Sequence, residues 1–87
     1  MIGPLDFANR LAAVLNGTKG CRAMVRVLAG NVDVMVDSVC EGRVTFAACV
    51  NVYPGPNGEA RPRVHGPWTS KTGEVVAALL RTVGASS

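Results

Sequence analysis

Two side chains, Cys49 and His65, have the chemistry of a nucleophile and its general base. If the segment around His65 pairs with the strand that contains Cys49, the two become diagonal neighbours on one sheet face, with Asp33 opposite Cys49. A Cys-His-Asp arrangement depends on that pairing. The sequence contains no paired carboxylates, no phosphate-binding glycine loop and no Ser-His-Asp pattern. We therefore predict a protein that is not an enzyme.

The same histidine and the three cysteines are the candidate metal ligands. Cys21, Cys40 and Cys49 show no CxxC spacing, and the strand pattern points Cys21 into the core. We expect no metal, no cofactor, and reduced thiols in a cytoplasm.

The densest group of aromatic and basic residues lies in the second half of the chain. It comprises Tyr53, Arg61, Arg63, His65, Trp68 and Lys71. Aromatic rings beside arginines suit base stacking and phosphate contact, and they equally suit the centre of a protein–protein interface. The alternative is that Trp68 packs under the second helix while the arginines are simply solvated.

These residues must be positioned by a sheet, because residues 21–53 alternate in polarity with period two. A two-residue turn at Ala29-Gly30 places Arg26 opposite Asp33 and Arg22 opposite Asp37, and such opposite-charge pairs support the register. On the other face the same register pairs Val27 with Val32, Val25 with Val34 and Ala23 with Val36.

The next hairpin has a predicted three-residue turn, Cys40-Glu41-Gly42, with Gly42 in the left-handed conformation. This turn sets Val36 opposite Phe46 and Val34 opposite Ala48, with Phe46 on the buried face. The opposite sheet face is then uncovered, and we predict a homodimer or partner interface there, although an ordinary half-exposed sheet would look similar. Its residues are Arg22, Met24, Arg26, Met35 and Cys49.

Residues 54–67 are rich in proline and glycine, and Asn57-Gly58 is a turn signal. Residues 61–65 either return as a fourth edge strand, with Val64 opposite Val52 and Arg63 opposite Tyr53, or form a projecting loop. The sequence leaves both alternatives open.

Two amphipathic helices flank the strands. The first is predicted over residues 1–17, with an apolar stripe that includes Phe7 and Leu11. The second is predicted over residues 69–83, capped by Thr69 or Ser70 and ended by Gly84. Its apolar stripe is Val76, Leu79, Leu80 and Val83, with Thr72 and Val75 alongside. The 87 residues thus form one α+β domain in the order α-β-β-β-(β)-α, a two-layer sandwich with both helices on one face of an antiparallel three- or four-stranded meander.

This order resembles the double-stranded RNA-binding domain in topology over most of the chain. The matching stretch is residues 65–73, with sequence HGPWTSKTG, which keeps a Ser-Lys step at Ser70-Lys71 but continues with Thr72-Gly73-Glu74 where that family has more lysines. The resemblance implies phosphate contact at the N-terminus of the last helix. Small mRNA-cleaving toxins of the HicA type share the topology, but they carry a histidine in an early strand, so their activity is not carried over.

Composition bounds the function. A hydrophobic content of 48% with 17% charged residues excludes a disordered tail, and the net charge of +3 is a mild basic bias. No membrane span and no signal peptide is apparent. Seven arginines against two lysines suggest GC-rich coding DNA. We therefore expect a small cytoplasmic binding module of bacterial or phage origin, one that inhibits or adapts a host complex, with nucleic-acid binding as the alternative.

Overall fold

A computed structural model describes residues 2–65 and 70–86 of the chain. Four strands and two helices follow one another as α1 (Pro4–Asn16), β1 (Cys21–Leu28), β2 (Asn31–Cys40), β3 (Arg43–Pro54), β4 (Ala60–His65) and α2 (Ser70–Ser86). The strands form one antiparallel sheet in the order β1-β2-β3-β4. The predicted α+β class and element order are confirmed, and the open question of a fourth strand is settled in its favour.

The first helix forms because its sequence combines a start signal with an apolar stripe. Pro4 occupies the first turn, where a missing N–H costs nothing, and Asp6 places a carboxylate near the helix N-terminus. The buried face of α1 comprises Phe7, Ala8, Leu11, Ala12 and Leu15. That face was predicted correctly, and it packs on the valines of the sheet.

The first hairpin has the predicted register. Arg26 lies opposite Asp33, and Arg22 lies opposite Asp37. Ala29 and Gly30 both have positive φ, 51° and 82°, which is the type I′ geometry that matches the twist of paired strands. Val32, Val34 and Val36 of β2 consequently point to the helical layer, where Val34 and Val36 are fully buried.

The second hairpin differs from its prediction. Its turn has two residues, Glu41-Gly42, with φ of 51° and 77°, and Cys40 pairs with Arg43. A β-bulge then leaves Ala47 between the partners of Val36 and Asp37. The predicted three-residue turn is therefore wrong.

The bulge also corrects the predicted faces of β3. Val36 lies opposite Ala48, and Val34 opposite Val50, so the predicted pairing of Val36 with Phe46 is wrong. Phe46 instead lies opposite Asp37 on the outer face. Residues 43–46, between the turn and the bulge, therefore face the opposite way from the prediction, because the one extra residue inverts the alternation there.

The fourth strand runs beside β3 with a register two residues from the predicted one. Val64 lies opposite Val50, and Arg63 opposite Asn51. Because the shift is an even number, each side chain keeps its predicted face. The connection is closed by a hydrogen bond of 2.7 Å from the Gly55 amide to the Glu59 carbonyl oxygen.

The second helix completes the core from the same side of the sheet as α1. Among residues 73–82 the buried side chains are Val75, Ala78, Leu79 and Thr82, whereas Leu80 is 68% exposed. The predicted stripe through Leu80 is therefore wrong, because the buried face is rotated toward Val75 and Ala78. The side chains of Thr72 and Val83, also named in the prediction, lie outside the described ones. The helix also continues past Gly84, the predicted end, to Ser86.

The outer edge of β1 is partly closed by the end of α1. The Asn16 side chain accepts a hydrogen bond of 2.8 Å from the Ala23 amide and donates one of 3.0 Å to the Ala23 carbonyl oxygen. These two groups would otherwise be free to pair with another strand. The edge of β1 is thus less available for the addition of another strand.

Candidate functional site

The outer face of the sheet is the site that the fold presents. The two helices pack on the opposite face, and no element among residues 2–65 and 70–86 covers this one. We call it the open face, and define it by its outward residues on the four strands. They are Arg22, Met24, Arg26, Leu28, Asp33, Met35, Asp37, Val39, Val44, Phe46, Cys49, Asn51, Tyr53, Arg61, Arg63 and His65.

A polar row crosses all four strands of the open face. Arg26, Asp33, Asn51 and Arg63 are consecutive cross-strand partners. The Arg26 guanidinium lies 3.3 Å from the Asp33 carboxylate, and the Asn51 side-chain amide donates a hydrogen bond to the other oxygen of Asp33. Asp33 is therefore held from both sides, and this row fixes the centre of the face.

The neighbouring row is apolar on β1 and β2 and ends on the histidine. Met24, Met35, Cys49 and His65 are consecutive partners. Cys49 and His65 are thus directly paired rather than diagonal, and Met35 rather than Asp33 lies opposite Cys49. The prediction that Asp33 lies opposite Cys49 is wrong because it assumed a three-residue turn and no bulge, and each of these moves the register by one residue.

The electrostatics of Cys49 oppose a nucleophilic role. Burial raises the pKa of the Cys49 thiol, the Asp33 carboxylate raises it further, and only Arg26 lowers it. A catalytic cysteine needs the opposite shift, because the thiolate is the nucleophile. The Cys49 thiol is therefore held toward its protonated form, although Cys49 lies opposite His65 on the neighbouring strand.

The end of the open face next to the Glu41-Gly42 turn is apolar because of the bulge. Phe46 is 47% exposed there and Val44 is 46% exposed, while Met24 in the adjacent row is 64% exposed. The ion pair of Arg22 with Asp37, at 3.3 Å, lies beside Phe46. The sequence did not reveal Phe46 as an outward residue, because both faces of residues 44–48 are apolar or small.

The corner of the open face next to the connection between β3 and β4 holds the basic and aromatic residues. Tyr53 lies opposite Arg61, and the Arg63 guanidinium lies 6.0 Å from the centre of the Tyr53 ring, a cation–π distance. Arg61 is 3.9 Å from Glu59. Tyr53, Arg61, Arg63 and His65 thus lie on one face of the sheet, and their role in binding stays a prediction.

The other two members of the predicted aromatic-basic group are Trp68 and Lys71. Trp68 and the alternative helix cap Thr69 lie outside the described residues. Lys71 belongs to the first turn of α2. Asn51, which sequence reasoning did not select, is a structural member of the site through its bond to Asp33. Its only signal in the sequence was its outward position on β3.

The described residues form neither a metal site nor a membrane-spanning helix. Among residues 2–65 and 70–86, no three His, Cys, Asp or Glu side chains lie close enough together to hold a metal ion. Within the same residues, neither helix combines the length and the hydropathy that a bilayer span requires. None of the three cysteines is in a disulfide, and the Cys21 thiol donates a hydrogen bond of 3.0 Å to the Glu74 carboxylate.

The chain matches no protein-family model, and comparisons with curated proteins and with solved structures give no significant match. Relative to the α-β-β-β-α order of the double-stranded RNA-binding domain, the fold has an additional strand, β4, between β3 and α2. The RNA-binding function implied by that resemblance stays a prediction.

Proposed function

We propose that this protein is a non-enzymatic binding module that presses its open face against a protein partner. The observation that carries the proposal is the exposure of Met24, Phe46 and Tyr53 on a sheet face that no described element covers. Large apolar side chains grouped on one face of a small domain are characteristic of interaction surfaces.

The residue types on the open face support a protein partner. Methionine, aromatic residues and arginine are enriched at protein–protein interfaces, whereas lysine and glutamate are depleted. The open face carries four arginines, two methionines and two aromatic rings, and no lysine. Two of the arginines, Arg22 and Arg26, already have carboxylate partners within the face, which lowers the cost of desolvating them.

In the cell, such a module acts by occupying a surface of a larger assembly. The chain is small, and its excess of arginine over lysine suggests GC-rich coding DNA. Both features suit an accessory protein of a phage or mobile element that inhibits or adapts a host complex. A cytoplasmic location belongs to the same proposal, and a homodimer through the open face is the competing use of this surface; both are measurable.

The test is capture of a partner from a lysate of the cells that encode the protein, after nuclease treatment. The wild type is compared with Met24→Ser/Phe46→Ser, which removes the two exposed apolar anchors. The matched control is Leu5→Ser/Leu80→Ser, which changes exposed leucines of the helical layer. We expect the same partner with the wild type and the control, and its loss with the open-face variant. Equal capture by all three proteins would refute the proposal.

A second function, nucleic-acid binding, is favoured by one specific feature. Arg61, Arg63 and His65 occupy successive outward positions of β4, beside the exposed ring of Tyr53. Basic groups that track a backbone beside a stacking ring are typical of single-strand binding surfaces. This function requires an affinity for an oligonucleotide that falls steeply with salt. Absence of a gel shift at low ionic strength would exclude it.

A further inference from the structure

The charges of the open face are sorted by strand. Its arginines lie on the two outer strands, Arg22 and Arg26 on β1 and Arg61 and Arg63 on β4. Its aspartates lie on the inner strand β2.

The arginine side chains are also more exposed than the aspartates with which they pair. The Arg22 side chain is 62% exposed against 27% for its partner Asp37, and the Arg26 side chain is 45% exposed against 13% for Asp33. The carboxylates are recessed while the guanidinium groups project. On the other edge, the Arg61 side chain is 66% exposed. An approaching partner therefore meets positive charge along both edges of the face, and the side chains of Met35, Phe46 and Cys49 between them.

The spacing of the two basic edges fits a helix. Three inter-strand intervals of about 4.8 Å separate β1 from β4 by about 14 Å. An α-helix with its side chains is about 10–12 Å wide, so it fits between the edges with its flanks beside the arginines. The eight residues of β1 extend for about 26 Å, the length of about 17 helical residues.

We propose that the open face binds an amphipathic α-helix of a partner protein whose apolar stripe is flanked by acidic residues. The apolar stripe lies over Met35 and Phe46 of the inner strands, with Met24 of β1 at its margin, and the acidic flanks reach the arginines of the outer strands. Arg26 and Arg63 lie at the same level on opposite edges, so they clamp one turn of the helix from both sides. This inference rests on the proposed protein-binding function and adds the chemistry of the partner.

A second copy of this chain fits the open face less well. In an aligned face-to-face dimer, a twofold axis along the strands places β1 over β4, and an axis across the strands places each outer strand over its own copy. Both arrangements bring projecting arginines against arginines. Like charges at an interface disfavour association.

A nucleic-acid strand matches the corner around Tyr53, Arg61 and Arg63, but it does not match the open face as a whole. A backbone that crossed from the Arg61 edge to the Arg22 edge would pass over Asp33 and Asp37, whose carboxylates repel phosphates. An acidic helix avoids this conflict, because its apolar stripe lies over the inner strands and only its flanks carry charge.

The test is selection from a displayed library of 18-residue amphipathic helices. The apolar stripe is varied among Ala, Leu, Ile, Met and Phe, and the flanking positions are varied among Glu, Lys, Gln and Ser. We expect binders whose flanking positions carry Glu at least fivefold more often than Lys. A selected peptide should bind Arg22→Gln/Arg26→Gln and Arg61→Gln/Arg63→Gln each about fivefold more weakly, the effect of removing two exposed ion pairs.

The matched control is Arg10→Gln/Arg81→Gln, which removes two exposed charges from the helical layer and should leave the affinity unchanged. Flanks without a preference for Glu, no enriched helix, or equal binding by all variants would overturn the inference. A dimer at high micromolar concentration that Met24→Ser abolishes, or tighter binding of a dT20 strand than of any selected helix, would overturn it in favour of those occupants. If lysate capture requires Met24 and Phe46 but selected helices are not acidic, the proposed function stands and this inference alone fails.

Discussion

Replacing Asp33 by alanine tests whether the polar row organises the open face. The substitution removes the acceptor of the Asn51 side-chain hydrogen bond and the partner of the Arg26 guanidinium at 3.3 Å. The matched substitution is Asp37→Ala on the same strand and the same face, which removes only the ion pair with Arg22. Because both variants place alanine in β2, the intrinsic cost of alanine in a strand largely cancels between them.

The expected magnitudes follow from the contacts. The hydrogen bond to Asn51 contributes about 1 kcal/mol, and the ion pair to the half-exposed Arg26 about 0.5 kcal/mol after solvent screening. Asp33→Ala should therefore lower the free energy of unfolding by about 1.5 kcal/mol, which corresponds to roughly 6–12 °C in Tm for a domain of this size. Asp37→Ala loses only about 0.5 kcal/mol.

Urea unfolding monitored by circular dichroism measures both losses, at low and at high salt. The Asp37→Ala loss should shrink at 1 M salt because it is purely an exposed ion pair, whereas most of the Asp33→Ala loss should persist. A double-mutant cycle of Asp33→Ala with Asn51→Ala should give a coupling energy near the hydrogen-bond value. Equal losses for the two aspartates, or no coupling with Asn51, would refute the role assigned to the polar row.

Three further predictions concern the turn, the core and the thiols. Gly42→Ala puts a Cβ on a residue at φ 77° and should cost about 1–2 kcal/mol in urea unfolding; an unchanged midpoint would contradict the type I′ turn. Leu11→Ala removes a fully buried side chain and should cost about 2–5 kcal/mol, whereas the half-exposed Leu5→Ala should change stability by less than about 0.5 kcal/mol, and similar losses would contradict the assigned helix face. Iodoacetamide should label the exposed Cys40 faster than Cys49, whose thiol pKa is raised by burial, as mass spectrometry of digests would show. Equal labelling rates would contradict this difference between the two thiols. Because folding keeps the proton on Cys49, the contribution of Cys49 to the free energy of unfolding should fall as the pH rises above the ordinary thiol pKa.

The first hairpin could be predicted from the sequence because three independent signals agree. The Ala29-Gly30 turn, the valine alternation and the two Arg–Asp pairs all require one register, and the structure has it. The second hairpin offered no such agreement. Residues 44–48 are apolar or small on both faces, so the alternation permits either assignment of Phe46 and does not reveal a bulge.

The basic-aromatic corner was predictable in its face but not in its register. Proline and glycine at residues 54–58 mark a turn without fixing its length, and the pairing of β4 is two residues from the predicted one. The direct pairing of Cys49 with His65 follows from that length, and so could not be deduced. The role of Asn51 depends on its contact with Asp33, which only the folded sheet brings about.

The order of the strands also sets how the chain folds. Each strand pairs with its neighbour in sequence, through connections of two, two and five residues. Closing such short loops costs little entropy, and hairpins form in about 1–10 μs. The contact between α1 and α2 instead joins opposite ends of the chain. We therefore expect the sheet to assemble early and locally, while docking of the terminal helices completes the core and limits the rate.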